Sequence, residues 1–239
     1  MCGKILDKKK LIIFDFDGVI FNISEPLKKA TQDGIKKYSI KTPEEEITED
    51  LAHLIEEIQN YAIPQVLLNA YDLTKDVAFL NKYRLIKRIR IGIYMYNQFR
   101  QYNEDSGIFP GMELLIKSLH KKGYTLCIFT NNKRTHPIGI LERYDLVRYF
   151  KLIYGFNEVS ETKPSPEGIL KIMNELKIKN NETIFIGDMT SDIKAGKAAE
   201  VFTIGVATGL VPKKRLAQEN PDYLFEGIDA LCSAFNGEL

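Results

Sequence analysis

Four apolar residues, Leu11 to Phe14, run without interruption into two aspartates one residue apart, Asp15 and Asp17. A run of that kind reads as a strand buried on both faces of a parallel sheet. From about Phe21 to Ser106 the pattern turns helical. Ser24 is placed to cap a helix with Leu27, Ala30, Gly34/Ile35 and Tyr38 on one face. Thr42 and Pro43 suit the cap and first turn of a second helix, with Glu45 completing a capping box and Ile47, Leu51, Leu54, Ile55 and Ile58 at helical spacing. Pro64 opens a short helical stretch, Gln65 to Tyr71. Thr74 can cap a long helix to about Tyr102, with Leu80, Ile86, Ile93 and Phe99 among its apolar positions.

Turn formers between Asp105 and Gly111 end this block. Strand and helix patterns then alternate. Helices are expected near Met112–Lys122, Ile138–Leu146, Pro166–Leu176, Ser191–Ala199 and Lys213–Glu219, with a last one from Ile228. Strands are expected near Tyr124–Thr130, Leu152–Gly155, Glu182–Gly187 and Val201–Val206, with an edge strand at Tyr223–Phe225. Alternation implies crossover connections, hence an α/β fold: a Rossmann-like open parallel sheet flanked by helices. The first strand belongs to that sheet. The helical block is therefore an insertion, with residues 1–20 and 107–239 forming the core and 21–106 a helical domain.

The chain's 239 residues are 44% hydrophobic, ordinary for a globular protein, and its formal net charge is +1. That charge gives no case for a nucleic-acid or membrane partner. Cys2, Cys127 and Cys232 are too scattered for a disulfide framework or zinc site and fit a reducing cytoplasm. No apolar run approaches a membrane span, and the start is too short for a signal-peptide core. Within the helical block, Pro43 to Thr74 lacks lysine and arginine, while Lys82 to Arg100 lacks acids. Two solvated helix faces account for this. Attraction of an anionic substrate by the basic stretch is the functional alternative.

Four predicted strand ends carry polar chemistry. Asp15 and Asp17 point to one side while the chain is extended, where open α/β sheets bind ligands, and Gly18 lets the backbone turn away. Thr130 and Asn131 follow the second strand and can offer a hydroxyl and backbone N–H groups to a phosphate, or simply make a strand-to-loop transition. Lys163 precedes Pro164 and is held extended; it is a point charge for phosphate or a solvated loop lysine. Asp188 ends another strand. Asp192 falls in the next helix's first turn, where an acid is favourable in any case, or joins Asp188 in holding a hard cation such as Mg²⁺. Of the histidines, His120 and His136 show no catalytic partner pattern, and His53 is the only one in the helical block, well past its start.

Taken together and in this order, Phe14-Asp15-Phe16-Asp17-Gly18-Val19, Thr130-Asn131, Lys163-Pro164 and Gly187-Asp188 through Asp192 resemble the four motifs of the haloacid dehalogenase superfamily. The helical block and Pro110-Gly111 resemble its phosphoglycolate phosphatase-like branch, whose helical cap closes over the site. After Gly18 the sequence departs from that branch: Val19-Ile20-Phe21-Asn22-Ile23 stands where Thr-Leu-Val-Asp-Ser is common. The resemblance implies a Mg²⁺-dependent phosphatase acting on a small phosphorylated metabolite. In it Asp15 is the nucleophile and Asp17 the acid and base. Thr130, Asn131 and Lys163 hold the phosphoryl group. Asp15, the Asp17 backbone carbonyl, Asp188 and Asp192 hold the metal. An acid at 17 favours phosphatase or phosphomutase over dehalogenase. A mutase resembling β-phosphoglucomutase and a non-catalytic binding module are the alternatives.

Overall fold

The computed structural model describes residues 6–44, 46–48, 50, 51 and 77–236. They fall in two compact units, Met1–Phe21 with Gly107–Leu239, and Asn22–Ser106.

The first unit is built on a six-stranded, all-parallel sheet: β1 (Leu11–Phe14), β2 (Thr125–Phe129), β3 (Phe150–Tyr154), β4 (Thr183–Gly187), β5 (Phe202–Val206) and β6 (Tyr223–Phe225), in the spatial order β3-β2-β1-β4-β5-β6. β1 is central, with Leu11 facing Thr125 on one side and Thr183 on the other. All four of its side chains are fully buried. This is why the run is continuous rather than alternating: helices cover both faces, so no position is left for a polar residue. Burial on that scale contributes roughly 2 kcal/mol per large apolar side chain. Leu11 and Ile13 pack with Cys127, Phe129 and Phe185 beneath Ile169 and Ile172 of α5 (Glu167–Leu176) and Ala195 of α6 (Thr190–Ala198). The remaining helices of this unit are α3 (Met112–Lys121), α4 (Thr135–Glu142), α7 (Lys213–Gln218) and α8 (Ile228–Asn236). α3 packs on β2 and α8, with Met112, Leu115, Ile116 and Leu119 all buried.

In the second unit α1 (Ser24–Tyr38) packs on α2 (Leu85–Glu104). Leu27, Ala30 and Gly34 form the buried face of α1, as the spacing predicts. Ser24 does not cap it. Ile23 holds the cap position, and Asn22 Oδ1 accepts hydrogen bonds from Ser24 Oγ (2.8 Å) and Glu25 N (3.3 Å). The long helix expected up to Tyr102 is interrupted: a 3₁₀ turn at Ala78–Lys82 gives way to extended Tyr83 and Arg84 before α2 starts. Its buried stripe is Ile91, Met95 and Phe99. Ile86 and Ile93 are 70% and 42% exposed, because they lie about 200° around the helix from that stripe. The expected helix through Leu54, Ile55 and Ile58, the stretch Gln65–Tyr71, the Thr74 cap, Glu45 and His53 lie outside the described residues. Among the described residues no helix is long and apolar enough to cross a membrane.

Candidate active site

Because all six strands are parallel, their carboxyl ends share one rim, and the polar residues read from the sequence follow those ends. Asp15 comes one residue after β1, tied to β4 by a hydrogen bond from its N–H to Ile186 O (2.8 Å). Thr130 follows β2, with its N–H on Tyr154 O of β3 (3.0 Å). Asp188 follows β4, and Asp192 lies in the first turn of α6.

The structure brings Asp15, Asp188 and Asp192 together. Each has a carboxylate oxygen within 4.8 Å of the others, and all three residues are buried. Lys163 joins them from the loop before α5: its Nζ lies 2.7 Å from Asp15 Oδ1 and 2.7 Å from Asp192 Oδ1. Only 4% of Lys163 is exposed, which sets aside the solvated-loop alternative. Burial works against its ammonium, but Asp15 and Asp192 outweigh that and hold it above the usual lysine range. Burial, and then the charge of Asp192, push the Asp15 carboxyl well above its ordinary value, with Lys163 opposing them. Three buried acids thus share one buried lysine, leaving negative charge that a cation would offset.

A single hard cation suits that excess. The donors are all carboxylate oxygens, the chemistry of Mg²⁺ rather than of a softer metal. Gly18 makes the approach of Asp188 possible. It has φ +85°, and a Cβ there would lie 2.0 Å from Asp188 Oδ2. Asp188 Oδ2 accepts a hydrogen bond from Thr208 Oγ1 (2.8 Å), two residues beyond β5. At the start of α6, Asp192 Oδ2 accepts from the N–H groups of Asp188 (3.1 Å) and Met189 (2.9 Å), while Oδ1 faces Lys163.

Thr130 is buried, its hydroxyl accepting from Asn132 N (3.1 Å). The Asn131 side chain is committed to Lys163: Oδ1 accepts from Lys163 N (3.0 Å) and Nδ2 donates to Lys163 O (3.3 Å). It fixes the loop that carries the ammonium, and leaves the Asn131 backbone as the group that can meet a ligand.

The Asp17 carboxylate is not in the acid cluster. Its Oδ1 lies 3.0 Å from His136 Nε2, in the first turn of α4. Burial disfavours the charged ring of His136, yet the neighbouring Asp17 carboxylate raises its pKa above the ordinary value overall. Sequence reading gave His136 and Thr208 no part in the site. Thr208 had a weak signal, a hydroxyl just past a strand end. His136 had none beyond its place in the helix after Thr130.

The model of the haloacid dehalogenase-like hydrolases matches residues 12–206. The chain is 27% identical over 240 residues to the pyrophosphatase PpaX of Listeria innocua, covering 100% of both chains. It is 24% identical over 225 residues to a phosphoglycolate phosphatase of Vibrio parahaemolyticus, covering 93% of this chain and 94% of that one. Among solved structures, a hydrolase from Pseudomonas syringae superposes with a TM-score of 0.65 at 17% identity, over 96% of this chain and 99% of the other.

Proposed function

The chain belongs to the haloacid dehalogenase-like hydrolases, and on that premise we propose that it is a Mg²⁺-dependent phosphatase that works through an aspartyl-phosphate on Asp15. The observation that carries this is the buried quartet of Asp15, Asp188, Asp192 and Lys163 at the carboxyl rim of the sheet. A structural role explains such a cluster poorly, since a third buried acid with one lysine costs stability.

In the proposed reaction a carboxylate oxygen of Asp15 attacks phosphorus as the ester P–O bond breaks. Asp17 gives its proton to the departing alkoxide. It then takes a proton from the water that attacks the acyl phosphate, which frees inorganic phosphate and restores Asp15. Lys163, the Thr130 hydroxyl and the Asn131 backbone hold the phosphoryl oxygens while charge shifts from one side of phosphorus to the other. Asp15, the backbone carbonyl of Asp17 and Asp188 are assigned as ligands, with Asp192 further out because Lys163 and two N–H groups already engage it. Bound there, Mg²⁺ supplies positive charge that lets an anionic phosphate approach an anionic nucleophile. Phosphate-ester hydrolysis requires barrier lowering on the order of 20 kcal/mol, so these groups must act as a unit.

The substrate class we assign is a small phosphorylated metabolite, and the relatives' names, pyrophosphatase and phosphoglycolate phosphatase, support compact, strongly anionic compounds. Residues 1–20 with 107–239 are assigned as the catalytic core and 21–106 as the helical cap. The free, buried Cys127 and Cys232 suit a reducing compartment, and we assign the cytoplasm.

The test is phosphate release from pyrophosphate, phosphoglycolate, sugar phosphates and p-nitrophenyl phosphate, in Mg²⁺ and in EDTA. Release that needs Mg²⁺ and stops in Asp15→Asn supports the reading. Isomerisation of a sugar phosphate without release makes the protein a mutase, and silence over the panel makes it a binding module.

A further inference from the structure

Among the described residues, His136 is an ionisable side chain against the Asp17 carboxylate that the proposed reaction leaves without a task. Its ring packs against two phenylalanines. Phe16 and Phe21 stack with centroids 6.0 Å apart and planes 7° from parallel. The imidazole meets both rings edge-on, at 5.6 Å and 89° to Phe16 and at 5.8 Å and 84° to Phe21. Both phenylalanines are buried, and the loop joining them is closed by hydrogen bonds from Ile20 N and Phe21 N to Phe16 O and from Gly18 N to Phe21 O. These edge-on contacts pack the imidazole against the phenylalanine pair, and its Nε2 lies 3.0 Å from Asp17 Oδ1. A carboxylate oxygen is an acceptor, so Nε2 carries the hydrogen and donates it. The other oxygen, Asp17 Oδ2, is buried and has no hydrogen-bond partner among the described residues.

We propose that His136 is a positioning residue for Asp17: by occupying Oδ1 it orients the carboxyl and reserves Oδ2 as the oxygen that delivers the proton to the leaving alkoxide and later receives one from water. This rests on the phosphatase reading and deepens it. A carboxyl free to rotate divides its proton between two oxygens and two orientations. One held by a packed imidazole presents a single oxygen in a single direction, and misplacement by about 1 Å can cost on the order of a hundredfold in rate.

Leaving-group dependence separates this from a merely structural role. p-Nitrophenolate leaves with little need of a proton, whereas an alkoxide needs one. His136→Phe keeps a ring packed against Phe16 and Phe21 and removes the donor; His136→Gln places an amide N–H near the Nε2 position. For His136→Phe we expect a fall in kcat of about tenfold or more on the alkyl phosphate that wild type hydrolyses fastest, a fall of less than about threefold on p-nitrophenyl phosphate, and KM for both within about twofold. His136→Gln should recover most of the alkyl-ester rate. Should the Phe variant lose the wild-type melting transition, His136→Asn against His136→Gln carries the same contrast, because the shorter amide stops short of Asp17. Equal losses on both esters, no loss on either, or no recovery with Gln overturn the positioning role and leave the phosphatase intact. A wild type active on p-nitrophenyl phosphate but on no alkyl ester overturns the tasks given to Asp17 and His136 together. A wild type silent on every ester removes the phosphatase reading itself, and the positioning role with it.

Discussion

Replacing Asp188 by asparagine should make the metal-free protein more stable and its Mg²⁺ response weaker. Asp188 has a carboxylate oxygen within 4.8 Å of those of Asp15 and Asp192. At an effective dielectric of about 20, each such pair of like charges costs about 3.5 kcal/mol. Lys163 lies 2.7 Å from both Asp15 and Asp192. Attraction of Asp188 to the ammonium offsets part of the two repulsions, leaving a net relief on the order of 2 kcal/mol. An asparagine keeps an oxygen for the Thr208 hydroxyl, so that bond does not confuse the result. In a chain of this size the relief should raise the melting temperature in EDTA by about 4–8 °C. Saturating Mg²⁺ should stabilise wild type by about 2–3 kcal/mol when held near a hundred times its dissociation constant, and Asp188→Asn should lose most of that increment. Thermal denaturation of both proteins in EDTA and across a Mg²⁺ series decides the matter. A variant that melts lower than wild type in EDTA and keeps the full Mg²⁺ increment would refute the cluster as a cation site.

Other consequences follow from the same geometry. Lys163→Ala leaves Asp15 and Asp192 buried without their cation, so urea unfolding in EDTA should show a loss of about 3–5 kcal/mol; a loss below about 1 kcal/mol would make the lysine incidental. Asp17→Asn should cut kcat on an alkyl phosphate by about 10²–10⁴-fold while the melting temperature moves little, and steady-state kinetics beside a melting curve checks both halves. The raised pKa of His136 gives a sign for pH: the stability contributed by its pairing with Asp17 is full below the unfolded value of 6.5 and fades as pH climbs through the higher folded value. The stability gap between wild type and His136→Phe, measured in EDTA, should therefore be wider at pH 5.5 than at pH 8.5, and an equal gap would contradict that sign. Thr208→Val should weaken Mg²⁺ affinity about 10–100-fold by freeing the Asp188 carboxylate, as read by the Mg²⁺ dependence of the melting curve.

The strands were legible because a strand covered on both faces has no polar position, so Leu11–Phe14 stands out against everything near it. The acids and the lysine were legible because the carboxyl ends of parallel strands share a rim, so residues far apart in sequence can be placed on it from local pattern alone. Contacts that depend on side-chain packing were not. Nothing at positions 16 and 21 announces that two phenylalanines stack and pack against His136, since an aromatic near a strand end reads as core. The side chain of Asn131 gave no sign that it is spent on the backbone of Lys163. In the helical unit the error was one of face. Ile86 and Ile93 are as apolar as Ile91, and only packing against α1 selects the stripe Ile91, Met95 and Phe99. The break at Tyr83 and Arg84 was hidden for a similar reason, as neither residue is a helix breaker.

The central claim is that Asp15 takes the phosphoryl group onto itself. Acid-quenching the enzyme during turnover of a substrate identified in the panel, followed by borohydride reduction, converts an acyl phosphate to homoserine at its position, which peptide mass spectrometry then locates. The account predicts homoserine at position 15 in wild type with Mg²⁺, and none in EDTA or in Asp15→Asn. Phosphate release with position 15 unmodified, or a modified acid elsewhere in the chain, would contradict it.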